Sequence, residues 1–399
     1  MFPLNRVNKL FGSVFEIKVK KKIYLSNSVH LRCLHRFIKT GKAVNMLAQR
    51  TDYRISQGYS SNLIMHNNRD GMINVVVEHN WDENTRLKNF ILNESDNGTL
   101  FHRPLFLQYH DKNKFQDTES LKLSFYKKGR LVAFIAGAVQ MTENEKRFIS
   151  PFGSSYGGLV FHKELSFKEI EDVYFELLNN LQKHYAHIKI SSTPVFQSKT
   201  GKSQYVEHIL LNKGFVVTKS DIILVHELDS DEKLPSRIDK KTFTELKQPL
   251  FKNKLRLEIA AGVDEETYRL LLSSQERLQS VPTHTQQELM RIEELLPGTV
   301  QTFKAYSDDN YVAGIITFRL NDDILSTFYV FDTLEGRTLK ANHFTYFNVA
   351  KTAFENKFKY LDFGASSFGW LPNYPLISFK EKFDGKPYLR NTFEKTTPA

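Results

Sequence analysis

The chain of 399 residues contains a single cysteine, Cys33. It can form no internal disulfide and no zinc site built on several thiolates. Beyond residue 71 there is no thiol at all, so nucleophilic catalysis through cysteine is excluded there. Such usage fits a reducing compartment. Tryptophan is nearly as scarce, with two residues against 32 Phe and 17 Tyr, which predicts a Phe-rich interior. Long apolar runs are also missing. No stretch reaches the roughly 20 apolar residues that a membrane-crossing helix needs, so a soluble or peripheral protein with no transmembrane segment is expected. The chain carries no Walker loop, no Rossmann glycine fingerprint and no His-Glu-x-x-His pair. Those absences remove the best-marked nucleotide-binding and metalloprotease classes, and no metal site is expected.

Acidic residues are rare in one region only. Residues 1–71 hold 13 Lys/Arg against Glu16, Asp52 and Asp70, and this segment accounts for the whole net charge of +10. The rest of the chain is balanced, which argues against broad electrostatic binding of a polyanion by the body. The basic segment includes the cluster Lys18-Val19-Lys20-Lys21-Lys22. Three readings fit it: a poorly ordered extension upstream of Met72, an organelle-targeting peptide, or an arm for nucleic acid or a membrane surface.

The body, in contrast, shows one order of elements twice. In residues 72–228, Met72–Val77 and the alternating Leu121–Tyr126 read as strands. Lys127–Arg130 is a glycine turn, and Leu131–Val139 is a near-continuous apolar run suited to a strand buried on both faces. Ile170, Val173, Tyr174, Leu177, Leu178 and Leu181 mark one side of a helix. His187–Ser191 is a short strand, and a second helix leads through Lys213-Gly214-Phe215 into the strand from Val216. In residues 297–399 the order recurs: strands over Val300–Tyr306, Tyr311–Phe318 and Ile324–Phe331, then a helix whose buried side should carry Phe344, Phe347, Ala350, Phe354 and Phe358. Strands over Lys359–Phe363 and Pro387–Phe393 complete it. Residues 229–296 form a charged connection followed by two bridging helices, Glu265–Ser273 and Gln286–Leu296. The expected class is α+β, two tandem domains each with a mixed sheet flanked by helices.

Several segments resemble the FemAB/FemX family of tandem acetyltransferase-like (GNAT) proteins. Tyr360-Leu-Asp-Phe-Gly364 followed by Phe379-Lys-Glu-Lys-Phe-Asp-Gly385 is similar to that family's closing signature, with Asp384 added before the last glycine. Trp81, Asn97–His102, Ser150–Gly158, Gly214-Phe215 and Arg277 before Leu296-Pro297 follow the family's order across residues 72–395. The resemblance implies transfer of an acyl or aminoacyl group to an amine of a cell-envelope precursor, an amino sugar or a stem peptide, in peptidoglycan or polysaccharide biosynthesis. It implies a cytoplasmic enzyme, free or at the inner face of the membrane, with no permanently bound cofactor. The acyl donor, acyl-CoA or aminoacyl-tRNA, is a co-substrate, and the precursor can be nucleotide-linked. The pyrophosphate loop of CoA-binding relatives has no counterpart in Thr333–Lys340. A GNAT-like scaffold that binds a ligand without catalysis is the alternative.

The same resemblance nominates site residues. Lys380, preceded by Phe379, would stabilise the oxyanion of the transferring carbonyl; otherwise it is a surface lysine beside a core Phe. Asp362 would orient or deprotonate the amine, or serve as a turn aspartate. Ser154, Ser155, Tyr156 and Gly157 would let a ligand approach the backbone, or merely turn into a strand. His102 is a candidate base or a structural histidine. Arg277 could clamp a phosphate or make a helix-surface ion pair.

Overall fold

The computed structural model describes residues 72–110, 114–115, 117–142, 145–228, 238–247 and 254–396. The basic segment 1–71 with Cys33, and most of the charged run 229–253, lie outside the described residues.

Twelve strands run in one path through a thirteen-stranded sheet. They are β1 (Ile73–Glu78), β2 (Thr118–Lys127), β3 (Arg130–Met141), β4 (Lys146–Ser150), β5 (His187–Ser191), β6 (Val216–Glu227), β7 (Leu255–Ala261), β8 (Val300–Ser307), β9 (Asn310–Arg319), β10 (Ile324–Asp332), β11 (Tyr360–Ala365) and β12 (Lys386–Thr396). The short piece Val160–Phe161 pairs with β3 off this path. The spatial order is β1-β2-β3-β4-β5-β12-β6-β11-β10-β9-β8-β7. The order is a palindrome about the β12–β6 contact. Each half ends by sending its last strand across to the other: β12 pairs with β5, and β6 pairs with β11.

This exchange differs from the sequence reading, in which the Pro387–Phe393 strand closes its own half. The parallel pairs β4–β5 and β10–β11 each leave one edge open, and an antiparallel strand from the opposite half covers it. Phe393, at 0% exposure, is thereby buried in the core of the first half. β7, from the stretch read as a connection, pairs with β8 and extends the second half.

The helices follow the apolar stripes. α1 (Phe167–Gln182) starts at a capping box made by Ser166 and Glu169. It buries the six residues expected, Ile170 to Leu181, each contributing about 1.5–3 kcal/mol of apolar transfer. α2 (Ser203–Asn212) ends before Gly214, whose φ of 81° is the left-handed turn that stops it. α3 (Glu265–Arg277) and α4 (Gln286–Leu295) carry side-chain N-caps from Asp264 and Thr285. In α5 (Ala341–Glu355) the buried side is Tyr346, Val349, Ala350 and Ala353, while Phe354 is exposed. The expected Phe face is thus rotated, because alanines let the helix lie close on the sheet and the rings flank it. α6 (Tyr374–Glu381) is capped by Asn373, which accepts from Leu376 N. Among the described residues no helix is long and apolar enough to cross a membrane.

Candidate active site

β10 and β11 run parallel for three residue pairs, Ile324↔Tyr360, Leu325↔Leu361 and Ser326↔Asp362, and then part. Each strand is irregular where they separate. On β10, Ile316 faces Tyr329 and Thr317 faces Thr327, so Phe328 is the extra residue of a bulge. On β11 the register with β6 slips by one between Asp362 and Ala365. Gly364 sits in that bulge at φ 72°, which a side chain would resist. Bulges free backbone groups from the ladder and re-aim side chains, which is why they collect beside sites.

Two cavities open at this parting. The larger, about 500 Å³, is lined by Asp332, Arg337 and Lys340 at one end and by His343, Phe379 and Lys380 at the other. The smaller, about 170 Å³, is lined by Ser155, Tyr156, Ser326, Asp362 and Arg390. Both are bounded by Thr327, Phe328, Gly364 and Ala365, which form a shared wall.

Lys380 is 3% exposed. Its ammonium donates to Gly364 O at 3.1 Å, Ala365 O at 3.1 Å and Ser366 Oγ at 2.9 Å. All three N–H bonds are therefore directed at the bulge of β11. Burial pushes its pKa down to about 7, and the charge of Asp362 opposes that shift. Asp362 accepts from Gly364 N at 2.7 Å and from Ser326 Oγ at 3.4 Å. Burial raises its carboxyl above the ordinary value, while Gly364 N–H, Lys380 and Arg390 favour the charged form. Phe379 packs its ring on His343 and Tyr346 at centroid distances of 4.9 and 5.0 Å. The added Asp384 takes the left-handed φ of 57° after α6, and Gly385 N donates back to Lys380 O.

The structure brings Lys380, Phe379, Asp362, Ser155 and Tyr156 to the two cavities. The other nominated residues are placed elsewhere. Ser154 Oγ donates to Tyr156 O at 3.1 Å and Phe101 O at 3.3 Å. Gly157 N donates to Ser191 O, and a Cβ there would meet Ser150 Oγ at 2.7 Å, so its bareness serves loop packing. His102 accepts from Thr99 N through Nδ1 and faces Gly157 O through Nε2 at 3.2 Å. Burial lowers its pKa to about 4, leaving a neutral ring that ties two loops together. Arg277 donates to Asp332 Oδ1 at 2.9 Å. Arg337 and Asn342 bind the same carboxylate, so Arg277 supports the wall of the larger cavity from behind.

Sequence reasoning did not single out Ser326, Thr327, Phe328, Arg390 or Ser366. The first three sit in a strand whose composition reads only as core, and Arg390 arrives with the exchanged strand β12. Among the described residues no group of three or more His, Cys, Asp or Glu could hold a metal ion.

No protein-family model and no curated protein sequence matches the chain. Solved structures do. FemX superposes with a TM-score of 0.58 at 13% identity, covering 79% of this chain and 96% of FemX. The L-PGS structure from Bacillus licheniformis gives a TM-score of 0.46 at 11% identity, with 79% and 92% covered. A tandem GNAT protein from the clavulanic acid biosynthesis pathway gives 0.43 at 10%, with 74% and 88% covered. At these identities the likeness is one of fold. The chain has the FemX-like tandem GNAT fold, an α+β architecture of two fused acetyltransferase-like halves.

Proposed function

We propose that the protein transfers an acyl or aminoacyl group to an amine, with the donor in the larger cavity and the acceptor amine in the smaller one. The observation that carries this reading is the shared wall at Thr327, Phe328, Gly364 and Ala365, with Lys380 on one side and Asp362 on the other. Two substrates that must react need adjacent pockets whose contents meet at one point.

In the proposed step the amine nitrogen attacks the acyl carbon. A C–N bond forms, and the C–S bond of a thioester or the C–O bond of an aminoacyl ester breaks. Asp362 takes the proton that the amine loses. The leaving thiolate or alkoxide is protonated from solvent. With its three N–H bonds engaged, Lys380 acts on the tetrahedral oxygen through its charge and by fixing the bulge, without a fourth hydrogen bond. The hydroxyl-lined smaller cavity, with Arg390 at its edge, suits an amine carried on a hydroxylated or anionic molecule, such as the amino sugar or stem peptide of an envelope precursor.

A direct test screens melting temperature against acetyl-CoA, longer acyl-CoAs, aminoacyl-tRNA and nucleotide-linked amino sugars, followed by mass-spectrometric detection of transfer from each donor that binds. A ligand specific to the folded state raises the melting point by mass action. At least one donor should do so and acylate an amine acceptor. Binding without transfer would favour a ligand-binding scaffold, and no shift from any donor class would end the reading.

A further inference from the structure

Between β11 and α6 the chain forms a hairpin, Ser367–Phe368 paired with Leu371–Pro372 across a tight turn at Gly369 and Trp370. The hairpin and the start of α6 present large apolar side chains to solvent: Phe368 at 84%, Leu371 at 71% and Trp370 at 65% exposure, and Tyr374 of α6 at 72%. Its base is fixed. Gly369 N donates to Asp221 Oδ1 at 3.0 Å, Trp370 Nε1 to Thr218 O at 3.3 Å, and Ser367 Oγ accepts from Ile222 N at 2.8 Å. A hairpin fastened along the sheet that still leaves large apolar side chains uncovered indicates a feature built to meet something.

We infer that this hairpin inserts its tip into an anionic lipid surface. Four observations select that occupant. The tip combines Trp and Tyr with Phe and Leu, the amphipathic and apolar mixture that settles at a bilayer interface. It is a patch of four side chains, exposing on the order of 500 Å² if each ring buries roughly 150–250 Å², whereas a stable protein interface needs about 800 Å² per partner. No acidic residue occurs from Phe363 to Lys380, and the carboxylate that holds Gly369, Asp221, is buried and paired with Lys219 and Arg390. The chain also holds a second signal, because residues 1–71 carry all of its net charge of +10. Stable peripheral binding takes two such signals, shallow apolar insertion and a polybasic segment. Ala365 and Leu376, which line the larger cavity, lie just before and just after the hairpin, so docking sets that cavity beside the headgroups. The inference does not depend on the transfer reading.

The test uses the full chain with vesicles of 70% phosphatidylcholine and 30% phosphatidylglycerol. Of the two tryptophans, Trp81 is half-buried and stacks on Phe152, so Trp370 reports on the tip. The protein should co-sediment, and its emission should shift to the blue. The double variant Phe368→Ser, Leu371→Ser alters only exposed side chains. It should lose the blue shift and bind at least tenfold more weakly at an unchanged melting temperature. Binding equal to the parent protein overturns the inference, as does sedimentation with no change in emission. A dimer seen without lipid and abolished by the double variant would replace it with self-association.

Discussion

The two halves are built on one plan, and they treat the same place in that plan in opposite ways. In each half a parallel strand pair ends at a serine: Ser150↔Ile190 in the first, Ser326↔Asp362 in the second. Beyond that pair the first half closes. Ser150 Oγ donates to Ala136 O at 2.7 Å and accepts from Gly158 N at 2.9 Å, and Gly157 N reaches Ser191 O. The loop of residues 151–158 thus occupies the parting, and the position facing Ser150 is an isoleucine with no exposure. The β3–β4 ladder shows no register shift. In the second half, bulges at Phe328 and at Phe363–Gly364 hold the parting open, and the facing position is a buried carboxylate. A duplicated fold can keep one copy closed and leave the other open, where a desolvated carboxylate costs stability and marks a candidate site.

The sharpest way to break this comparison is to substitute each of the two facing residues. Ile190→Asp places an unpaired charge in the core of the first half and should unfold the protein or cost about 4 kcal/mol or more, read by denaturant titration. Asp362→Asn should leave stability equal or higher while lowering transfer at least 100-fold; retained activity would remove Asp362 from the mechanism. Lys380→Met should lower transfer by a similar factor. Relative to this variant, the parent should gain stability as pH rises from about 7 toward 10.5. Its folded pKa lies below its unfolded value, so the unfolded chain binds more protons in that window.

Acid should act mainly through the buried neutral histidines. The pKa values of His102, His110 and His284 are each lowered to about 4, first of all by burial. Protonation favours the unfolded chain, and stability should fall as pH drops from 6.5 toward 4. Each histidine contributes up to about 3 kcal/mol, and His102→Gln should flatten the melting-temperature curve over that interval. Smaller effects separate the two partings. Gly157→Ala should destabilise by about 1–3 kcal/mol through its clash with Ser150 while leaving transfer intact. Gly364→Ala, at φ 72°, should cost about 1–2 kcal/mol and also slow transfer.

The sequence by itself determined the elements and their repetition. The alternation in Leu121–Tyr126, the unbroken apolar run of Leu131–Val139 and the stripe from Ile170 to Leu181 are local periodicities, and a strand or helix buries such a pattern whatever packs against it. Lys380 and Asp362 were legible as candidates because two short motifs, Tyr360–Gly364 and Phe379–Gly385, carried them. Tertiary structure alone decided which half received β12, which parting stayed open, and which neighbours completed the site. Strand exchange is set by edges that exist only after both halves have formed. Phe328 becomes a bulge only against the register of β9, and Arg390 reaches the smaller cavity only because β12 crosses. His102 has the composition of a catalytic base, and only its burial against Thr99 and Gly157 makes it a strut. Pairings between residues far apart in the chain leave no local pattern, so the site emerged only once the strands were in register.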